Sequence, residues 1–379
     1  MRIHERSRGM GSRRLLAVCV MGLLAAVIAG CGEEKDSGTK SPAVPSSSAT
    51  PAASSSTDMA ASLNGAGSSF QAPLEYKWIS EYTKLHPKIA LNYQSIGSGA
   101  GIRQVTAGTI DFGGTDGPMT QEQLDDFKKA RGCDCIHLPI ALGAVMPTYN
   151  IPNVTAELKF TPAALAGIYM GTITKWNDPA ITGPNAGVTL PDNDIVVVHR
   201  SDGSGTTYTW TDYLSKVSPE WKDKVGCAVS VKWPVGIGGK GNEGVAGDVT
   251  KTPYSIGYVE LIYALKNHMT YGSVQNSAGK FIHADLDSTS AAAAGAAASM
   301  PSDFRVSITN APGDATYPIV TFTWIMVPSK IDDPAKKAAM VDFLKWALND
   351  GQSYCKDLAY ASVPKEVVGM EMKAIEGIK

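Results

Sequence analysis

The sequence predicts a layered α/β fold. Short β-branched apolar runs alternate along the chain with segments of helical character. The joints between them are rich in glycine and hydroxyl residues: Ser68-Ser69-Phe70, Gly97-Ser98-Gly99 and Ser204-Gly205-Thr206. The chain has 379 residues, 44% hydrophobic and 18% charged, which is ample for a large core arranged as two domains or one long one.

In chain order, residues 63–70 read as a strand end and a Gly/Ser turn. Ala72-Pro73-Leu74 then opens a helix through Trp78, Ile79, Tyr82 and Leu85, with proline in its first turn. Residues 89–93 read as a strand running into Gly97-Ser98-Gly99-Ala100-Gly101 and a helix carrying Ile102 and Val105. Residues 109–112 read as a short strand ending in Gly113-Gly114-Thr115-Asp116-Gly117-Pro118. An apolar segment with strand character follows over 138–149, then helical segments at 161–170 and 179–181. Ile195-Val196-Val197-Val198 reads as a buried strand and Tyr208 onward as the start of a helix, with a glycine-rich turn between them. Residues 233–242 are glycine-rich, 256–259 a strand, 291–299 an alanine-rich helix, 317–327 a long apolar strand or a pair of strands, and 335–348 an amphipathic helix.

The N-terminus reads as an address label. Arg2, Arg6, Arg8, Arg13 and Arg14 precede an apolar run over 15–29, which has the charge and length of a signal peptide and is short for a membrane span. It ends Ile28-Ala29-Gly30-Cys31, small residues before a cysteine as in a bacterial lipobox, so Cys31 is the expected lipid anchor after removal of residues 1–30. Ser12-Arg13-Arg14 matches the twin-arginine pattern only weakly, which leaves the export route open. Residues 31–61, rich in Ser, Pro, Ala and Thr, cannot bury enough surface to fold and read as a tether of roughly 30 Å reach.

Without the first thirty residues the chain keeps 29 basic and 35 acidic side chains. That acidic balance argues against nucleic acid as a partner. Cys133, Cys135, Cys227 and Cys355 remain for an oxidising compartment, where one or two disulfides are expected with the pairing undetermined. Cys133-Asp134-Cys135 with His137 falls short of a zinc site, and no metal or cofactor is expected.

The candidate chemistry centres on His199-Arg200-Ser201-Asp202-Gly203-Ser204-Gly205-Thr206-Thr207. A turn feeding a helix N-terminus offers free N–H groups to an anion, and Arg200 adds a planar fork of donors. The plainer reading is a capped strand-to-helix turn with Ser204 or Thr206 as N-cap. Asp202 either orients the guanidinium or only forms the turn. Asp116 is odd in an anion site, because a carboxylate only accepts hydrogen bonds. It makes sense if the ligand carries a proton, as phosphate does near neutral pH and sulfate does not; alternatively it is a turn residue before Gly117-Pro118. Lys240 is followed by Gly241, so the phosphate-loop pattern of nucleotide hydrolases fails. No Gly-x-Ser-x-Gly elbow surrounds Ser98 or Ser204, and the histidines are scattered, which argues against an enzyme. Trp210, Tyr213 and Trp233 are expected in the core.

Gly65-Ala66-Gly67-Ser68-Ser69-Phe70-Gln71-Ala72-Pro73, Gly97-Ser98-Gly99-Ala100-Gly101, Phe112-Gly113-Gly114-Thr115-Asp116-Gly117-Pro118 and Arg200-Ser201-Asp202-Gly203-Ser204-Gly205-Thr206 resemble a known family. Trp176-Asn177-Asp178, Val231-Lys232-Trp233-Pro234, Gly238-Gly239-Lys240-Gly241-Asn242 and Ile256-Gly257-Tyr258-Val259-Glu260 extend the resemblance to the phosphate-specific substrate-binding proteins of bacterial ABC transporters. It implies a two-lobe periplasmic-binding-protein fold of type II, each lobe a mixed sheet flanked by helices, with the ligand in the cleft between them. It implies phosphate contacts from Ser69, Phe70 (through its backbone N–H), Ser98, Asp116, Arg200, Ser204, Gly205 and Thr206, with Asp202 in support. By the same analogy, 62–148 with 317–379 form one lobe and 149–316 the other. The implied partners are inorganic phosphate and the membrane permease, and the protein is expected to be a monomer outside the cytoplasm. The remaining alternatives are a phosphate-ester hydrolase and the same fold tuned to sulfate or molybdate.

Overall fold

The computed structural model describes residues 60–297 and 300–379. The expected signal peptide, the lipid-anchor Cys31 and nearly all of the tether lie outside the described residues, as do the last two residues of the alanine-rich helix.

The first half of the chain builds β1 (Ala61–Gly67), α1 (Ala72–Leu85), β2 (Ile89–Ser95), α2 (Ser98–Ala107), β3 (Phe112–Thr115), α3 (Gln121–Arg131) and β4 (Cys135–Asn150). Local chemistry sets most boundaries. Pro73 sits in the first turn of α1, α2 ends on Gly108 in the left-handed region, and Thr120 with Gln123 forms a capping box at α3. The chain continues through β5 (Lys159–Phe160), α4 (Pro162–Met170), α5 (Pro179–Thr182), β6 (Val196–Arg200), α6 (Gly205–Val217), α7 (Pro219–Lys224), β7 (Ile237–Gly239), α8 (Gly241–Lys251), β8 (Ser255–Glu260) and α9 (Leu261–Lys266). Short strands β9 (Thr270–Tyr271), β10 (Ser273–Gln275) and β11 (Phe281–Ile282) precede α10 (Leu286–Ala297). The chain closes with β12 (Val320–Pro328), α11 (Pro334–Leu348) and α12 (Lys365–Glu376).

Three boundaries differ from the sequence reading. The strand expected over 109–112 starts at Phe112 and runs through Gly113 and Gly114, which pair with Met326 and Ile325 of β12. The apolar segment over 317–327, read as one long strand or a pair, is a single strand that starts later, at Val320, and runs to Pro328. Helix α6 begins at Gly205, three residues before Tyr208, with Ser204 as N-cap: its hydroxyl accepts from the Thr207 N–H at 3.0 Å.

Eight strands run in the order β2-β1-β3-β12-β4-β8-β6-β7, with β9 added on β4. The 16-residue β4 lies within this path and joins its two halves. Its residues 135–144 pair antiparallel with β12, and its residues 145–150 pair antiparallel with β8. On one side β2, β1 and β3 are mutually parallel; on the other β8, β6 and β7 are. A separate three-stranded sheet runs β11-β10-β5. The architecture is the expected α/β one, two mixed sheets flanked by helices.

One large core cluster runs under these sheets, with a smaller one formed by Ile102, Val105, Met119, Phe127 and Met326. Trp78, Trp176, Trp210, Trp221, Trp324 and Tyr258 are fully buried, and Trp210 stacks on Tyr258 with ring centroids 5.1 Å apart. Tyr213 is buried and Trp233 half-buried against the same cluster, so these aromatics are packing residues. Cys133, Cys135, Cys227 and Cys355 are unbonded thiols, against the expectation of one or two disulfides. Among the described residues no helix is long and apolar enough to cross a membrane.

Candidate binding site

Parallel strands present their C-terminal ends, and the helices that follow them, at one edge of the sheets, where ligands of open α/β folds bind. The expected phosphate-contact residues lie at such ends. Ser68, Ser69 and Phe70 follow β1; Gly97 and Ser98 follow β2; Asp116 follows β3. Arg200 ends β6, Ser204 caps α6, and Gly205 and Thr206 open it. The two groups of loops meet. The Gly99 N–H donates to the Gly203 carbonyl at 2.9 Å, and the Gly205 N–H donates to Ser98 Oγ at 3.0 Å. Two glycines make this approach possible. Gly97 has φ of 86°, and a Cβ there would lie 2.2 Å from Asp202 Oδ2. A Cβ on Gly205 would lie 2.5 Å from both the N and Oδ2 of Asp116.

Asp116 and Arg200 thus share one buried site, each at most 3% exposed. Asp116 accepts from Ser68 Oγ at 2.5 and 2.7 Å and from Thr323 Oγ1 of β12 at 2.8 Å. Burial pushes its carboxyl up to about 6, against the Ser68 and Thr323 hydroxyls and the Arg200 charge, which pull it down. The carboxyl is therefore largely charged at neutral pH.

Arg200 is committed to Asp202 more fully than the sequence reading supposed. Its Nε and Nη2 donate to the two Asp202 oxygens at 2.8 and 2.6 Å, so one edge of the fork is taken. Its Nη1 reaches Thr206 Oγ1 at 3.4 Å. Asp202 also accepts from the Gly241 N–H at 3.0 Å. Burial raises the Asp202 carboxyl, but Arg200 and Gly241 outweigh it and hold the group below its ordinary value. Asp202 is an orienting residue as well as part of the turn. With one guanidinium against the Asp116 and Asp202 carboxylates, the site has no surplus of positive charge, so an anion must be held by hydrogen-bond donors.

Three hydroxyls at this junction each accept two N–H bonds. Ser98 Oγ accepts from the N–H groups of Gly205 and Asp116, at 3.0 and 3.4 Å. Ser69 Oγ accepts from the backbone and side-chain nitrogens of Asn242, at 3.1 and 3.0 Å. Thr206 Oγ1 accepts from Arg200 and from Asn242 Nδ2, at 3.4 and 3.2 Å. A hydroxyl whose two lone pairs are taken has only its O–H left to give. Two expected donors are spoken for: the Phe70 N–H donates to Ser68 Oγ at 2.9 Å and the Gly205 N–H to Ser98 Oγ at 3.0 Å, whereas the Ser204 hydroxyl caps α6 as an acceptor and keeps its O–H to give.

Several partners escaped the sequence reading. Ser68 and Asn242 stood inside quoted motifs without a role. Thr323 and Gln71 back the Asp116 side, with Thr323 Oγ1 2.6 Å from Gln71 Oε1. Thr321 and Thr323, alternating within an otherwise apolar β12, were the available signal. His199 stacks on Trp233 at 4.8 Å as a strand-end residue. Among the described residues no group of three or more potential metal ligands occurs.

These two sheets, with donors gathered where their parallel strands end, define a two-lobed α/β solute-binding protein. Residues 46–350 match the PBP superfamily domain. The chain is 43% identical over 355 residues to the phosphate-binding protein PstS of Xylella fastidiosa (strain Temecula1), covering 93% of this chain and 94% of that one. It is 46% identical over 313 residues to the phosphate-binding protein PstS of Pasteurella multocida, covering 82% of this chain and 89% of that one. The structure also resembles a phosphate-binding protein from Stenotrophomonas maltophilia with a TM-score of 0.64 at 17% identity, over 82% of this chain and 93% of that one, a likeness of fold. The chain belongs to the PBP superfamily and, within it, to the PstS family of substrate-binding proteins, which are not enzymes.

Proposed function

We propose that this protein captures inorganic phosphate outside the cytoplasm and delivers it to the permease of an ABC transporter. Its PstS relatives at 43% and 46% identity support the ligand and the transport role. The observation that carries the reading is the loading of Ser69, Ser98 and Thr206 with two incoming N–H bonds each, beside a buried, largely charged Asp116. Such hydroxyls donate hydrogen bonds to phosphate oxygens, while Asp116 accepts the hydrogen bond that the phosphate O–H donates. Sulfate has no proton to give, and would face Asp116 as an unpaired like charge in a water-poor site. Ser204, Gly205 and Phe70 complete the candidate set through the turn that opens α6 and the loop after β1, and Asp202 holds Arg200.

In this reading 62–148 with 317–379 form one lobe and 149–316 the other, and the ligand lies beside the contact that the Ser98 and Gly205 loops make. Residues 1–30 direct export, lipidated Cys31 anchors the chain to the cell membrane, 31–61 tether it, and it works as a monomer. Calorimetric titration of phosphate into the purified protein, with sulfate in excess, tests the function. Tight stoichiometric binding that sulfate does not displace is expected; no binding, or equal binding of both anions, would sink it. Mass spectrometry of the mature N-terminus checks the lipid on Cys31.

A further inference from the structure

We infer that Asn242, at the start of α8, is a positioning residue that sets the donor direction of two phosphate-facing hydroxyls; this rests on the function proposed above. Asn242 is fully buried, and its backbone N–H and both side-chain polar atoms are bonded. Its backbone N–H and its Nδ2 both donate to Ser69 Oγ, and Nδ2 also donates to Thr206 Oγ1. Its Oδ1 accepts from the Glu260 N–H at 3.0 Å, which fixes which end of the amide carries the hydrogens. A hydroxyl otherwise rotates freely between donating and accepting. With Nδ2 in place, Ser69 and Thr206 have their lone pairs occupied and present O–H outward. The amide thereby converts two ambivalent groups into donors, which is what a multiply charged anion requires.

Asn242 also joins segments far apart in the chain: the loop after β1, the first turn of α6, and the β8–α9 junction. Neighbouring Gly241 bonds Asp202, so the start of α8 orients the guanidinium as well as both hydroxyls. Preorganisation of this kind is lost without removing any atom that touches the ligand.

A double-mutant cycle tests the inference. Phosphate is titrated into the full-length protein and into Ser69→Ala, Asn242→Ala and the double variant. Each single change is expected to weaken binding about tenfold or more, because Ser69→Ala removes a hydrogen bond to the charged ligand and Asn242→Ala lets the Ser69 and Thr206 hydroxyls turn away from it. If Asn242 acts through Ser69, the double variant binds about as weakly as the worse single one. Losses that multiply would overturn the inference. Asn242→Asp keeps the shape and the acceptor for Glu260 but replaces the Nδ2 donor with an oxygen. We expect it to lose phosphate affinity about a hundredfold and, because it buries a new charge, to stay folded but melt below the native chain in the absence of phosphate. Native affinity in Asn242→Asp, or unfolding of both Asn242 variants, would overturn the positioning role. Failure of the native chain to bind phosphate, or of Ser69→Ala to weaken it, would instead count against the site as proposed.

Discussion

Ser68 Oγ lies 2.5 and 2.7 Å from the two carboxylate oxygens of Asp116 and 2.9 Å from the backbone nitrogen of Phe70. The hydroxyl donates to Asp116 and accepts from the Phe70 N–H, the same two bonds that a protonated phosphate oxygen would make there. It also stabilises the charged form of Asp116, whose pKa burial has raised to about 6. Phosphate affinity is therefore expected to fall as the pH drops through about 6, where Asp116 takes up a proton and ceases to be a pure acceptor. Ser68→Ala removes a donor and should move that acid limb upward by about one pH unit. Dissociation constants measured by calorimetry between acid and neutral pH check both; an unmoved limb would show that Ser68 does not tune the carboxylate.

Asp116→Asn replaces an acceptor by a group that also donates. Phosphate binding should weaken, sulfate binding should strengthen, and the preference between them should fall by about tenfold or more. Competition titrations of the two anions decide it, and an unchanged preference would remove Asp116 from the selectivity mechanism.

Asp202→Ala frees the Nε and Nη2 of Arg200, which then has no partner fixing its plane. The variant also leaves the Gly241 N–H unpaired and so loosens the start of α8. Phosphate affinity is expected to drop about tenfold or more even though a negative charge has been removed. A gain in affinity would mean that Asp202 acts only through its charge.

Glu75, fully buried on α1, has its carboxyl raised to about 8 by burial, against the Gln71 hydrogen bond that lowers it. Its folded-state pKa lies above its unfolded value, so its contribution to stability is present at low pH and lost as the pH rises through about 8. Glu75→Gln should therefore make the protein more heat-stable at pH 9 than the native chain while leaving melting at pH 5 nearly unchanged. Thermal unfolding at both values checks the sign. Equal shifts at both pH values would show that Glu75 does not titrate in this range.

The strand–turn–helix rhythm and the loops that carry Ser69, Ser98, Asp116 and Arg200 were legible in the sequence, because glycine and hydroxyl turn chemistry is local. What packs behind those loops was not. Thr323 reaches Asp116 across 207 positions, and Asn242 reaches Ser69 across 173. Spacing along the chain cannot encode such encounters; they depend on how β12 and α8 are laid beside β3 and β1. The displaced start of β3 has the same origin, since Gly113 and Gly114 read as a turn until β12 arrives to pair with them. The commitment of Arg200 to Asp202 was half visible, because two residues of separation allowed it without requiring it.

Strand β4 gives residues 135–144 to one sheet and residues 145–150 to the other without a break. A cut anywhere along it would leave each fragment with a raw backbone edge. Neither half should be recoverable as an independent product, and a split-protein reporter made from this scaffold would have to be divided in a surface loop, with the strand kept whole on one fragment.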